Sequence, residues 1–315
     1  MRKSGLKMKD IRRVAVLCGG DGAEREVSLA SGRAVADALR QGGFEAAEVD
    51  LRSFGQIGEL KGQNPDFAFI ALHGDWGEDG TLQSALESMD IPYTGSCPEA
   101  CKAAMNKRVS RALFARAGLK IPRGVSFSPE SDIDADAVME RLGGRVVVKP
   151  CCGGSTVGVS IVSRAGDLLP AVNEAFRYDS EVLAEEYVEG KELTVTVLVR
   201  NRKLLALPVI EIVPRQGFYD YKNKYTAGAT EYLVPAPLPA DVLSRVSEAA
   251  LTAHRCLGCS VYSRSDFRLS ENGTPYILEV NTAPGMTGTS LVPKAAQAAK
   301  LSFPRLIRAI ISASR

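Results

Sequence analysis

Histidine is almost missing from this chain: 2 in 315 residues, His73 and His254. Zinc chemistry built on histidine clusters is thereby excluded. An excess of either charge is missing too. There are 39 Lys and Arg against 37 Asp and Glu, so no general electrostatic pull toward nucleic acid exists. No apolar run approaches the ~18 residues of a membrane span, so no membrane insertion is expected. The 7 cysteines are an odd number without framework-like spacing, which argues for reduced thiols in a cytoplasmic protein. Cys256-Leu257-Gly258-Cys259 is a lone C-x-x-C and reads as a helix end running into a strand. Met1 to Asp10 is basic but has no apolar core. It reads as a frayed extension, not a secretory signal. The dinucleotide spacing G-x-G-x-x-G and the G-K-[ST] of a Walker A loop are both absent.

What is present is an ordinary globular composition, 45% hydrophobic and 24% charged, long enough for two or three domains. Near the N-terminus, Val14-Ala-Val-Leu-Cys18 is a short buried-strand run. Gly19-Gly20-Asp21-Gly22 follows, then a helical pattern from about Glu26 to Arg40. Strand, glycine turn and helix start together predict an anion site. Glu24 stands where the turn meets the helix, placed either to favour the helix terminus or to hold a ligand's ammonium group. Phe44 to Asp50 and Phe67 to Leu72 read as further strands. The loop His73-Gly74-Asp75-Trp76-Gly77-Glu78-Asp79-Gly80 follows the last of them, at the strand end where open α/β sheets bind ligands. His73 reads equally well as a satisfied structural residue.

In the middle, Asn106-Lys107 opens a helix that Gly118 stops. Arg145 to Lys149 reads as a strand, and Val159 to Val162 as its return. Between them, Pro150-Cys-Cys-Gly-Gly-Ser-Thr-Val-Gly158 is a loop of small residues whose N–H groups can converge on one anion, with Lys149 supplying a cation. Glu181 to Val188 reads as a strand and Gly190 as a hinge. Glu192 to Val199 and Leu204 to Val213 are two more strands. Residues 217–230 form a polar, aromatic loop of lid-like length. Pro239 to Leu257 is an amphipathic helix, and Ser302 caps a last one that has Pro304 in its first turn.

The densest chemistry lies in Arg264 to Asn281. Asn272-Gly273 is the strongest short signal for a two-residue hairpin turn. A turn there sets Asp266 opposite Glu279 and Arg264 opposite Asn281, all on one face. Phe267, Leu269, Tyr276, Leu278 and Val280 then fall on the core face. Two carboxylates ~5 Å apart repel by ~3 kcal/mol at an effective dielectric of ~20. A hard dication reverses that sign, and Asp266, Glu279 and Asn281 offer it only oxygen ligands. Arg264 adds a fixed cation for a developing oxyanion.

Five motifs in order carry a likeness. They are Glu24-Arg-Glu-Val-Ser-Leu29; Leu72-His-Gly74 with Gly77-Glu-Asp-Gly-Thr-Leu-Gln83; Lys149-Pro150 with Gly154-Ser-Thr-Val-Gly158; Phe218-Tyr-Asp-Tyr221 with Lys224-Tyr225; and Leu278-Glu-Val-Asn-Thr-Ala-Pro-Gly-Met-Thr287 with Ser290-Leu-Val-Pro293. Together they closely resemble the D-alanine–D-alanine ligase family of the ATP-grasp superfamily, over nearly all of the chain after residue 10. The resemblance implies an N-terminal parallel-sheet α/β domain (1–97) and two α+β domains (98–188 and 189–315) that clamp ATP. It implies Lys107 and Lys149 on phosphates, Glu185, Glu186 and Val188 at an adenine hinge, Glu192 on the ribose, and Lys224 also on ATP. Asp266, Glu279 and Asn281 match a site for two Mg²⁺ ions, for which Mn²⁺ can substitute. Arg264 matches the group that stabilises an acyl phosphate and the tetrahedral intermediate. Glu24, Ser155 and Tyr225 match a hydrogen-bonded trio closing the lid. His73, Gly285, Ser290 and Leu291 match substrate-positioning residues.

The implied reaction joins two D-alanines through an acyl phosphate, for peptidoglycan precursor synthesis, in a cytoplasmic homodimer. Tyr225 favours an amine nucleophile over the D-lactate that some relatives use. The alternative of another class is an ATP-binding regulatory module without catalysis. Its one support is Gly153, which stands where many relatives carry glutamate. The vicinal thiols Cys151 and Cys152 raise a further expectation, that oxidation inhibits the enzyme.

Overall fold

The computed structural model describes residues 8–215, 217, 226 and 228–314. Three sheets organise them. The first is parallel, in the order β2-β1-β3, from β1 (Arg13–Gly19), β2 (Glu45–Leu51) and β3 (Phe67–Ile70). The run Val14 to Cys18 is wholly buried in β1, as an uninterrupted apolar strand in a parallel sheet must be. Helix Arg25–Gln41 covers one face through Val35, Ala36 and Leu39. Residues 8–10 form a 3₁₀ turn, with Met8 packed on the core. The expected frayed extension is therefore corrected at its last three residues, and residues 1–7 lie outside those described.

The second sheet is antiparallel, in the order β4-β7-β5-β6, from β4 (Gly124–Phe127), β5 (Val146–Pro150), β6 (Ser160–Val162) and β7 (Val182–Glu186). Helices Ala135–Leu142 and Leu168–Ala175 bury its apolar face around Val146, Val148 and Val182.

The third sheet contains β8 (Lys191–Arg200), β9 (Lys203–Ala206), β10 (Ile210–Pro214), β11 (Thr230–Leu233), β12 (Tyr262–Leu269) and β13 (Pro275–Asn281), ordered β11-β10-β8-β12-β13 with β9 also on β8. Helix Ala240–Cys256 seals one face through Val246, Ala250 and Ala253, against Leu193, Val195 and Phe267. Helices Pro98–Met105 and Lys107–Arg116 join this same core through Ala104 and Phe114. Gly190, between the second and third sheets, has φ +126°, and a Cβ there would lie 2.0 Å from the carbonyl oxygen of Leu269. Only glycine permits that approach.

Two expected elements differ. The single strand Leu204–Val213 is broken into β9 and β10. Between the pairs Val197↔Ala206 and Thr194↔Ile210, one extra residue sits on the outer strand. Pro208 lies in that break, and proline has no N–H for the ladder. Ser302 occupies the N-cap position of helix Phe303–Ala313, but its side chain makes no capping hydrogen bond.

The hairpin β12–β13 carries the third correction. Its connection is Glu271-Asn272-Gly273, closed by Gly273 N–H donating to Ser270 O (2.8 Å) and Ser270 N–H to Thr274 O (3.0 Å). Gly273 is left-handed at φ +76°, the form of a three-residue loop. The tip is consequently paired one residue away from expectation: Leu269↔Pro275, Arg268↔Tyr276 and Phe267↔Ile277. A bulge at Leu278 then restores the expected pairs Asp266↔Glu279 and Arg264↔Asn281. Ile277, not Tyr276 or Leu278, faces the core, and Leu278 lines the cleft opposite.

Candidate active site

A cleft opens between the second and third sheets. Its floor is the face of β8, β12 and β13 turned away from helix Ala240–Cys256. Pairing lays the side chains out in three rows: Thr196–Arg264–Asn281, Thr194–Asp266–Glu279 and Glu192–Arg268–Tyr276. Alternation along each strand keeps the rows on one side. In the middle row Asp266 accepts from Thr194 Oγ1 (2.6 Å), Arg264 Nε (3.0 Å), Arg264 Nη2 (2.7 Å) and Asn281 Nδ2 (3.2 Å). Glu279 stands 3.8 Å from the ammonium of Lys107. Arginine and lysine thus offset the repulsion between the facing carboxylates.

The cleft's roof is the loop between β5 and β6. Gly153 (φ +103°), Ser155 (+52°) and Thr156 (+66°) are left-handed, a backbone form that turns N–H groups into an anion-binding concavity. Lys107 donates to Gly153 O at 2.7 Å, which ties its helix to this loop. Lys149, at the end of β5, is buried and paired with Glu185 of β7. Glu186 is occupied by Arg123, through its backbone N–H (2.8 Å) and Nε (2.6 Å). Val188 O accepts from Arg268 Nε at 3.0 Å, and Arg268 also stands 3.6 Å from Glu192. The hinge therefore offers a ligand backbone more than side chains.

The first sheet closes one end. Ser155 Oγ donates to Glu24 Oε1, joining residues 131 apart in the chain. Glu24 occupies the N-cap position of helix Arg25–Gln41 but does not cap it with its side chain. In the glycine turn before it, two of the N–H groups expected to face an anion are already occupied. Gly19 N–H is taken by Ser28 Oγ (2.9 Å) and Gly20 N–H by Leu51 O (2.7 Å).

His73 is buried, with Nδ1 3.0 Å from Ala283 O and Nε2 2.9 Å from Ser31 Oγ. A carbonyl can only accept, so Nδ1 carries the proton and Nε2 accepts from Ser31. Ser31 Oγ in turn accepts from Met286 N–H at 3.1 Å. Burial lowers the pKa of His73 and keeps the ring neutral. His73 thus fastens the first sheet to the 283–286 turn. In that turn a Cβ on Gly285 would lie 2.9 Å from Ser290 Oγ. Ser290 Oγ accepts from Thr287 N–H (3.0 Å). Leu291 begins helix Leu291–Ala298 with its side chain in the core. Lys224 and Tyr225, with most of the 217–230 loop, lie outside the described residues.

Three site residues had no role in the sequence reading. Thr194 and Arg111 are two; the third is Glu78, in the glycine-rich loop after β3. Burial, and next the charge of Glu24, push the Glu78 carboxyl up to about 8, against the opposing pull of Arg264. His73 Nδ1 is 3.9 Å away. A group whose folded pKa is raised binds its proton more tightly in the folded state. Its stabilising contribution is complete below the unfolded pKa near 4.5 and is lost as pH rises through about 8. The unfolding midpoint is expected to fall across that window, and Glu78→Gln to flatten the fall. Parallel pH profiles for the two proteins would contradict this.

Burial also raises both thiols of the roof loop, Cys151 to about 11, which makes each a slower nucleophile toward oxidants at neutral pH.

An N-terminal parallel sheet and two α+β units closing on a cleft, with a glycine-rich roof and a carboxylate-bearing floor, make an ATP-grasp fold. The profile described as D-ala D-ala ligase C-terminus matches residues 113–312, and that described as D-ala D-ala ligase N-terminus matches 54–96. A protein named D-alanine–D-alanine ligase from Anaeromyxobacter sp. (strain Fw109-5) is 48% identical over 302 residues, 95% of this chain and 96% of its own. The crystal structure of a D-alanine–D-alanine ligase from Bacillus anthracis superposes with TM-score 0.85 at 37% identity, covering 96% of this chain and 97% of that one. The same organism's ligase complexed with ATP gives 0.82 at 34%, covering 96% of each chain. The chain belongs to the D-alanine–D-alanine ligase family. Among the described residues no helix is long and apolar enough to cross a membrane.

Proposed function

We propose that this chain is an ATP-dependent ligase that joins two D-alanines into D-alanyl-D-alanine. The observation that carries the reading is the shared face on which Arg264, Asp266, Glu279 and Asn281 pair across β12 and β13, with Glu279 lining the cleft together with Ser155. Family membership supplies the substrates. ATP lies between the second and third sheets, with the adenine at the 185–188 hinge, Glu192 at the ribose, and Lys107 and Lys149 at the phosphates. The three units 1–97, 98–188 and 189–315 are our division of the chain. Helices Pro98–Met105 and Lys107–Arg116 pack in the core of the third sheet, whereas the second sheet keeps a core of its own.

The donor set fits Mg²⁺. Among the described residues no three His, Cys, Asp or Glu side chains gather into a metal cage. Two facing carboxylates and an amide leave coordination positions that phosphate oxygens suit, as hard cations at nucleotide sites prefer. Asp266, Glu279 and Asn281 would hold the ions, the amide of Asn281 turned to present its oxygen. When bound, Mg²⁺ neutralises phosphate charge and polarises the transferring group.

The chain's own residues do the remainder. Glu24 receives the ammonium of the first D-alanine and orients its carboxylate toward the γ-phosphate. A carboxylate oxygen attacks phosphorus, the bond to ADP breaks, and an acyl phosphate forms. The deprotonated amine of the second D-alanine, placed by Gly285, Ser290 and the backbone of Leu291, attacks the acyl carbon. Arg264 faces the oxyanion that develops there, and phosphate departs with the C–O bond electrons and takes up the proton that the attacking nitrogen loses. Positioning and charge neutralisation are what such transfers require. The acyl phosphate is prone to hydrolysis, so water must be kept out. The Ser155–Glu24 bond closes one side of the site.

The test is phosphate release from ATP across D- and L-amino acids and D-lactate. Turnover requiring D-alanine, with D-alanyl-D-alanine as product, is the expected result. Folded protein that binds ATP but releases no phosphate with any of these acceptors would end this reading and favour a regulatory ATP-binding module.

A further inference from the structure

Lys149 and Glu185 form a buried ion pair at the back of the cleft, and on their own they would cancel. A third charge prevents this. Arg111, 8% exposed, gives Nη1 to the Oε1 of Glu185, while Lys149 takes Oε2. The other guanidinium nitrogen, Nη2, donates to Pro122 O at 2.7 Å. A fixed fork of donors suits arginine to such a two-ended grip.

The surroundings are shaped around that grip. Gly124 pairs with Glu185 across β4 and β7. A Cβ on Gly124 would lie 2.9 Å from Arg111 Nη2 and 3.3 Å from Glu185 Cγ. Arg111 also lies one turn after Lys107 on helix Lys107–Arg116, so both cations leave the same face. One reaches the roof loop and Glu279, the other the hinge strand. Phe114 roots that helix in the core of the third sheet, whereas Glu185 belongs to the second.

We infer that Arg111 is a positioning residue for nucleotide binding: by neutralising Glu185 it leaves the charge of Lys149 uncompensated and aimed at the phosphates of ATP. The inference rests on the ATP reading of the cleft. With Arg111 in place the buried trio carries one net positive charge. Without it Glu185 and Lys149 sum to zero, and the ammonium that rests on Oε2 has no surplus charge to offer a phosphate. The loss should fall on the phosphate-bearing part of the ligand and spare the nucleoside.

Calorimetric titration of the full chain with ATP and with adenosine tests this, beside steady-state kinetics. Arg111→Met is expected to weaken ATP binding roughly tenfold, to raise KM for ATP in proportion, and to leave adenosine affinity and kcat within about threefold. Arg111→Lys keeps the charge and should recover most of the affinity. Arg111→Met combined with Glu185→Gln removes both partners, frees the Lys149 charge again, and should bind ATP more tightly than Arg111→Met alone. If Arg111→Met does not fold, Arg111→Gln, which keeps a hydrogen bond to Glu185 without the charge, takes its place in each comparison. A folded double variant whose ratio of ATP to adenosine affinity returns to that of wild type supports the inference, and one whose ratio stays tenfold lower overturns it. Equal losses for ATP and adenosine in Arg111→Met would also overturn it, as would no loss for ATP. A wild-type protein that binds no ATP would instead remove the reading of the cleft itself.

Discussion

Replacing Glu279 by Gln is expected to lower kcat by about three orders of magnitude, with the unfolding midpoint unchanged or slightly raised. The two halves of that result have separate causes. Glutamine keeps the volume and removes the charge, and the side chain is 29% exposed, so packing is preserved. Asp266 faces position 279 across the strands, so neutralising one carboxylate relieves repulsion in the folded state. Catalysis loses what stability gains. A dication coordinated by one carboxylate and two amides is held more weakly and neutralises less phosphate charge. Each factor of ten is ~1.4 kcal/mol of transition-state stabilisation, and a lost charge at a reacting phosphate is worth several such steps. Phosphate release at saturating ATP and D-alanine, repeated across Mg²⁺ concentrations, is the measurement. A rate within tenfold of wild type with an unchanged Mg²⁺ requirement would remove Glu279 from the metal site.

Arg264→Met should be as damaging to rate, by about 10² to 10³, but should differ in stability. Arg264 grips Asp266 with two nitrogens, and the two side chains are 18% and 14% exposed. Removing one member of a mostly buried pair costs about 3 kcal/mol, because the other charge is left behind. Thr194 and Asn281 still donate to Asp266 and soften that loss. Arg264→Met combined with Asp266→Asn removes the stranded charge. It should regain most of the stability in urea unfolding and none of the turnover. The catalytic loss itself follows from the missing cation at the developing oxyanion, a contribution of this size wherever one preorganised donor is deleted. A rate within threefold of wild type in Arg264→Met itself would show that Arg264 faces no developing charge.

What could be read from the residues, and what could not, divides along physical lines. The alternating floor strands β8, β12 and β13 were legible because a face buried on one side prints a period of two on the sequence. The acid pair was placed correctly from an incorrect turn. Asn272-Gly273 suggested a two-residue loop, the chain uses three residues, and Leu278 bulges by one to make up the difference. The break at Pro208 was visible in principle, since a proline within a strand pattern forbids one ladder bond. Strand β11 was not, because Thr230–Leu233 follows a long polar segment and carries little apolar signal. His73 illustrates a limit of motifs: its neighbours in sequence suggest a ligand contact, yet both its nitrogens are engaged by Ala283 and Ser31. Arg111 carried one usable signal, its spacing of four from Lys107, and Glu78 another, a carboxylate in a glycine-rich loop at a strand end. Neither signal is decisive without knowing what lies across the cleft. The partners of Glu24 and Arg111 are 131 and 74 positions away in the chain, a separation that only the fold spans.

The displaced residue at Leu278 also isolates the tip of its hairpin. Mispairing below it is absorbed at one point, while β8 grips β12 without interruption from Tyr262 to Leu269 on the far side. Shortening or lengthening the 271–273 connection would therefore be felt as far as Ile277 and stop there. The hairpin end can drift in length and composition among descendants of this sequence while the acids keep their stance, much as a slack coupling lets one carriage sway without moving the next.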